Sequence, residues 1–301
     1  MAIINPKTLP PPLKKGDEVI TVAASSVITN EKALLKGINL LETWGLICRP
    51  QNLVKRSWGY LAGNDEIRRF ELYPQKPTPL IVFARGGWGA ARLLEHPQQW
   101  KTGWLLGFSD VTSILLSRLA AGFDGGVHGP LLTSLSQEPD WSRERLKRLL
   151  FGFSVPDLHG EIWVKGKAKG PLVVANLSVA SHLLGSRHIP DLNGAILVLE
   201  DVGEEPYRID RMLTHWRLAG HLKKLSGLAF GSFNNCQNSE TDQEKNYFTV
   251  EDVLKERSRD LGIPVIGGLP IGHLHGNAAL PMGRIALLDG NKGKLTLLSE
   301  A

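Results

Sequence analysis

Cysteine is nearly absent from this chain: Cys48 and Cys236 are the only two among 301 residues. Their separation matches neither a disulfide framework nor a zinc-ligand spacing, which suits a reducing compartment. No stretch of about eighteen uncharged apolar residues occurs, so a membrane-spanning helix is not expected. The H-E-x-x-H pattern of zinc peptidases and the G-x-G-x-x-G dinucleotide fingerprint are both missing, and no metal or cofactor is expected. Low-complexity segments and internal repeats are missing as well. The run from Met1 to Val19 carries Pro10, Pro11, Pro12, Lys14 and Lys15 but no apolar stretch of the secretory kind, so no signal peptide is expected.

What remains is an ordinary globular composition. The chain is 42% hydrophobic, enough for one large domain or two medium ones with their own cores. Lys and Arg outnumber Asp and Glu by 35 to 30, a net charge of +5. The basic residues are scattered rather than gathered into a stripe, which argues against a nucleic-acid groove.

Short apolar runs alternate with amphipathic stretches in the first half. Strands are predicted at Asp17–Ala24, Pro79–Ala84 and Trp104–Gly107, and helices at Glu31–Trp44, Ala90–Glu95 and Val111–Ala121. That alternation predicts a parallel sheet covered by helices, with its binding crevice at the strand carboxyl ends. From Gly122 to Lys169 glycines and prolines interrupt the pattern, apart from a charged helix near Arg143–Leu150. The predicted division is an N-terminal α/β domain over 1–135, a linker over 136–165 and a mixed, strand-rich C-terminal α/β domain over 166–301. The second half reads as a helix over Asn176–Leu184, a strand over Ala195–Leu199 and a helix over Pro206–Ala219. Short strands at 227–231, 264–266, 285–288 and 295–298 complete it.

Ser109 stands in Gly107-Phe-Ser-Asp110, between a buried strand and an apolar helix. A hydroxyl at such a turn faces the crevice, where the helix N-terminus offers free N–H groups for an oxyanion. A serine or aspartate there equally serves as a helix cap, and the G-x-S-x-G elbow is incomplete because Val111 holds its last place. Ala84-Arg-Gly-Gly-Trp-Gly89 is a second strand-to-helix loop, whose Gly86 or Gly87 could supply another oxyanion N–H or a simple phosphate cradle. Glu200 ends the apolar run AILVL; a carboxylate there can orient an imidazole, or merely belong with Asp201, Glu204 and Glu205 to the start of the next helix. Among nine histidines, His273, His275 and His128 follow strand-like segments, and spacing does not choose the base among them.

Taken together, ARGGWGAARLL at 84–94, GFSD at 107–110, HGP at 128–130, NGAILVLEDVGEEPYRIDRML at 193–213 and GLPIGH at 268–273 resemble the LD-carboxypeptidase family. LKKGDEVITVAASS at 13–26 is similar to that family's first strand and loop. The resemblance implies a serine peptidase with Ser109 as nucleophile, Glu200 as acid and His273 as base. Oxyanion donors would be the backbone of Asp110 and Gly87. It further implies a cytoplasmic homodimer that removes terminal D-alanine from a peptidoglycan-derived tetrapeptide during murein recycling. Expected substrate contacts are Arg85, Gly86, Trp88, Asn176 and Arg208; Arg208 and Arg211 could instead pair with Glu204, Glu205 or Asp210 on their own helix. One departure is Val174-Ala175-Asn176, where the family often has Gly-Gly-Asn. Two other functions are compatible: a microcin immunity-type hydrolase of aminoacyl nucleotides, and a noncatalytic α/β protein whose glycine loops hold an anion.

Overall fold

A computed structural model describes residues 9–49, 52–238 and 247–298. Met1–Thr8, the start of the stretch expected to lack a leader, lie outside the described residues. The chain forms two sheets. The first takes Glu18–Val22 (β1), Ile47–Cys48 (β2), Leu80–Phe83 (β3), Trp104–Gly107 (β4) and Gly126–His128 (β5). These run parallel in the order β5-β4-β3-β1-β2. LIVF and WLLG are buried at all four of their positions, the pattern of a parallel sheet covered on both faces.

The second sheet has eight strands. Lys167–Asn176 (β8), Ile196–Val202 (β9), Gly227–Asn234 (β10) and Val265–Gly267 (β11) form its parallel centre. Antiparallel strands flank it: Leu158–His159 (β6), Ile285–Asp289 (β13) and Lys294–Leu297 (β14) on one side and Glu161–Val164 (β7) on the other. Leu280–Pro281 (β12) returns to pair with β5 at the edge of the first sheet. This is the two-domain α/β architecture read from the sequence, parallel in front and mixed behind.

Helix Thr112–Ala120 (α3) ties the halves together. Its Ile114, Leu115 and Leu119 share one apolar core with Phe83 and Leu105 of the first sheet and with Leu197, Val198 and Phe230 of the second. A separate core lies on the other face of the first sheet and gathers Leu34 and Leu41 of Glu31–Thr43 (α1), both leucines of Leu132–Leu135 (α4), and Leu146 and Leu149 of Asp140–Leu150 (α5). Of the remaining helices, Leu177–Leu183 (α6) and Pro206–Leu218 (α7) follow β8 and β9. No helix among the described residues is long and apolar enough to cross a membrane.

Several elements differ from the sequence expectation. Positions 136–165, read as a linker with one charged helix near Arg143–Leu150, hold that helix as α5 but also two strands that join the second sheet. Ahead of the helix on which the second half was expected to open runs the ten-residue strand β8, which its Gly170 and Pro171 disguise. Ala91–Glu95 is a 3₁₀ turn, and Asp65–Leu72 (α2) and Val250–Ser258 (α8) form helices too polar to stand out by periodicity. The strand over AILVL continues through Val202, so Glu200 sits within β9 rather than at its end.

Candidate active site

Between β4 and α3 the chain reverses at Ser109, which takes a φ of 62°. A left-handed backbone at a serine is a strained arrangement that persists only where its surroundings hold it. Here they do so tightly: a Cβ added at Gly86 would stand 2.9 Å from the Ser109 hydroxyl oxygen and 3.6 Å from the Asp110 nitrogen. The glycine loop and the serine turn are therefore apposed.

Two hydrogen bonds run outward from Ser109. Its Oγ lies 3.1 Å from His273 Nε2, and His273 Nδ1 lies 2.7 Å from Glu200 Oε2. Because an ionised carboxylate only accepts, the proton between His273 and Glu200 belongs on Nδ1, which leaves Nε2 to accept from the serine. Glu200 is wholly buried. Burial raises its pKa above the carboxylate norm against the opposing pull of the His273 ring. Gly272, at φ +106°, packs its backbone directly on the Glu200 side chain. The imidazole also leans on Phe108, with ring centroids 4.8 Å apart.

The Asp110 side chain faces away from the cleft and accepts a 2.8 Å bond from the Ala90 N–H, at the end of the glycine loop. Burial raises its carboxyl, with Arg68 pulling the other way. Arg68 is itself buried and donates to the carbonyls of Ala24 and Gly89 and to Asp65. Ser26 completes the frame by accepting from the Trp88 N–H at 3.1 Å. Sequence reasoning missed Arg68 and Ser26, since an arginine in a polar helix and a serine in a loop carry no periodic signal.

A cleft of about 370 Å³ opens above Ser109. Arg85, Gly86, Gly87, Phe108, Leu131 and Thr133 line it with Asn30, at the N-terminus of α1. The Arg85 guanidinium is partly fixed by a 2.7 Å bond to the Val27 carbonyl.

Other expected residues are elsewhere. Asn176 is buried, donating to Asp201 at 3.0 Å and capping α6 through the Val179 N–H, so it does not line the cleft. The cap takes its side-chain oxygen, and its nitrogen is turned inward to Asp201. Arg208 stands on the exposed face of α7, 3.3 Å from Glu205 and 3.8 Å from Glu204. Its i,i+3 and i,i+4 neighbours supply the anions that a substrate was expected to bring. Trp88 is 43% exposed and lies outside the cleft lining. His128 lies under Phe108 with neither ring nitrogen hydrogen-bonded, and burial pushes its pKa down to about 3. His275 is exposed.

Comparison with known proteins adds the following. The family description "LD-carboxypeptidase N-terminal domain" matches residues 19–129, and "LD-carboxypeptidase C-terminal domain" matches 169–288. A Pseudomonas aeruginosa murein tetrapeptide carboxypeptidase is 32% identical over 301 residues, covering 91% of this chain and 94% of that one. A Synechocystis sp. protein whose carboxypeptidase name is itself provisional is 45% identical over 296 residues, 96% of this chain and 97% of the other. Among solved structures, the muramoyltetrapeptide carboxypeptidase of Oxalobacter formigenes superposes with a TM-score of 0.82 at 26% identity, covering 93% of this chain and 97% of that one. The microcin C7 self-immunity protein, solved with glutamyl sulfamoyl guanosine, has the same fold at a TM-score of 0.84 and 19% identity, covering 97% and 98%.

Proposed function

Given that this chain belongs to the LD-carboxypeptidase family, we propose that it is a serine carboxypeptidase, hydrolysing the L,D-amide bond that releases terminal D-alanine from a peptidoglycan tetrapeptide. The observation that carries the reading is the continuous hydrogen-bonded line from Ser109 through His273 to the buried Glu200. His273 Nε2 takes the hydroxyl proton as Ser109 Oγ attacks the scissile carbonyl, and Glu200 holds the ring and stabilises its cation. The oxyanion of the tetrahedral intermediate faces the Asp110 N–H and the glycine loop at Gly86 and Gly87. His273 then gives its proton to the departing amine. Water, activated by the same imidazole, attacks the acyl-enzyme, and Ser109 recovers its proton. That Arg85 is a cation in the cleft lining supports a role for it in receiving the free carboxylate of the departing residue.

The reaction suits a cytoplasmic homodimer engaged in murein recycling, and both cysteines are free thiols, as a reducing compartment requires. Mass spectrometry of tripeptide, tetrapeptide and pentapeptide stems incubated with the pure protein tests the reading. Loss of one D-alanine from the tetrapeptide alone is expected. Intact tetrapeptide alongside cleavage of an aminoacyl nucleotide analogue overturns it in favour of immunity-type chemistry. Failure of an active-serine phosphonate to label Ser109 overturns it in favour of a binder.

A further inference from the structure

The nucleophile and the base come from opposite halves of the molecule. Among the described residues, every one lining the cleft above Ser109 belongs to the first half except His273. That imidazole rides on the irregular segment after β11, so its distance from Ser109 depends on how the segment is fastened to the half that holds the serine.

Besides the β12–β5 pairing further along the chain, the fastening nearer the imidazole gathers around Glu138, just ahead of α5. Glu138 Oε2 accepts from the N–H groups of Gly276 at 2.9 Å and Asn277 at 3.0 Å. Ser142 Oγ donates to the Asn277 carbonyl at 2.8 Å, and Arg145 Nε to the Ala279 carbonyl at 3.0 Å. Asn277 passes the restraint on, because its Oδ1 accepts the Gly272 N–H at 2.9 Å, one residue before the imidazole. Gly272 is the residue whose backbone presses on Glu200. Glu138, Ser142, Arg145 and Asn277 are all buried, so these bonds are shielded from competing water. The other end of α5 is anchored in the first-sheet core through Leu146 and Leu149.

We propose that Glu138 is a positioning residue, which locks the His273 segment of the second half against the serine-bearing first half and so sets the Ser109–His273 distance. The proposal rests on the reading of His273 as general base. A carboxylate suits the task because it accepts two adjacent backbone N–H groups at one oxygen, with charge-assisted strength. Loosening it displaces the base but leaves the cleft wall untouched, so catalysis falls without weaker substrate binding. A shift of about 1 Å at a reacting group is worth roughly a hundredfold in rate.

The test uses the full chain with Glu138→Ala and Glu138→Gln, reading tetrapeptide kinetics, phosphonate labelling of Ser109 and thermal midpoint together. Glu138→Ala is expected to lower kcat roughly ten- to hundredfold with KM within about twofold, and to slow labelling by the same factor. Glu138→Gln, which keeps an acceptor oxygen, restores most of both. A folded Glu138→Ala protein with wild-type kcat and labelling overturns the proposal, whatever its thermal midpoint. Should that variant not fold, Ser142→Ala removes one bond of the same clamp. A several-fold fall in its kcat at constant KM supports the clamp, and an unchanged kcat overturns it. Failure of the functional reading is visible separately, in the wild type. No labelling removes Ser109 and His273 from catalysis, and labelling without tetrapeptide cleavage removes only the substrate and leaves the labelling comparison to decide on Glu138.

Discussion

The backbone of Gly86 crosses Ser109 so closely that a methyl group at position 86 would stand 2.9 Å from the serine Cβ and from its hydroxyl oxygen. Neither side can yield cheaply, since Ser109 is already held at a left-handed φ of 62° and Gly86 comes only two residues after the buried Ala84 that follows β3. Gly86→Ala is therefore expected to push the hydroxyl away from His273 and cut kcat by at least about a hundredfold, while secondary structure is retained. Circular dichroism and tetrapeptide turnover check this. Turnover within threefold of wild type would show that the serine turn does not depend on the glycine.

Removing either partner of the Ser109–His273 bond should have a comparable effect. Ser109→Ala and His273→Ala are each expected to lower kcat about a thousandfold or more in a folded protein, and the double variant little further, because residues acting as a unit do not add. Strictly multiplicative losses would argue that the two side chains work independently.

Parts of this site were legible in the sequence, and the reason others were not is physical. Ser109 and Glu200 stand against uninterrupted apolar runs, WLLG and AILVL, so burial alone announces them as side chains at strand ends or within strands. His273 sits in a segment shaped by bonds to Glu138 and Asn234, residues far away in the chain, and no local periodicity encodes such bonds. Only resemblance singled it out. Asn176 and Arg208 were misplaced for the opposite reason: local partners, a helix end and two helical glutamates, absorb side chains whose chemistry would have suited a ligand. Strand β8 was hidden by its own glycine and proline, although its last five residues are all buried.

Glu200 should show opposing effects on function and stability. Its folded pKa is raised above the ordinary 4.5 by burial, so ionisation costs the native state more than the unfolded chain as pH climbs through and beyond that value. A neutral amide avoids that cost. Glu200→Gln is expected to lower kcat markedly yet to gain thermal stability relative to wild type as pH rises from about 4 to 8. Melting curves across that range decide; a gap that stays level or closes with rising pH refutes the buried-charge account.

His128 should titrate with the opposite sign. Its folded pKa is depressed from 6.5 to about 3, chiefly by burial and then by His273 nearby. Below pH 6.5 the unfolded chain takes up a proton that the native ring refuses, so stability drains as pH falls towards 3. The loss is about 1.4 kcal/mol per unit at most. His128→Phe, close in size, is expected to flatten the acid side of the melting profile while keeping kcat within about threefold at neutral pH. If kcat instead fell as far as in His273→Ala, His128 would be the base after all.

Arg85 and Arg208 separate a cleft cation from a surface one. Arg85 lines the cleft beside Ser109, with one guanidinium nitrogen fixed on the Val27 carbonyl. Arg208 is engaged by Glu204 and Glu205, in exposed pairs that water and salt screen. A charged hydrogen bond to a carboxylate contributes about 1.5–3 kcal/mol. Arg85→Ala should accordingly raise KM for the free-acid tetrapeptide roughly ten- to hundredfold and leave the already weak reaction with its C-terminal amide nearly unchanged. Arg208→Ala should alter neither. Equal losses on acid and amide would mean that Arg85 supports the shape of the cleft rather than the charge of its ligand, and the carboxylate would have to be met by the α1 N-terminus at Asn30 instead.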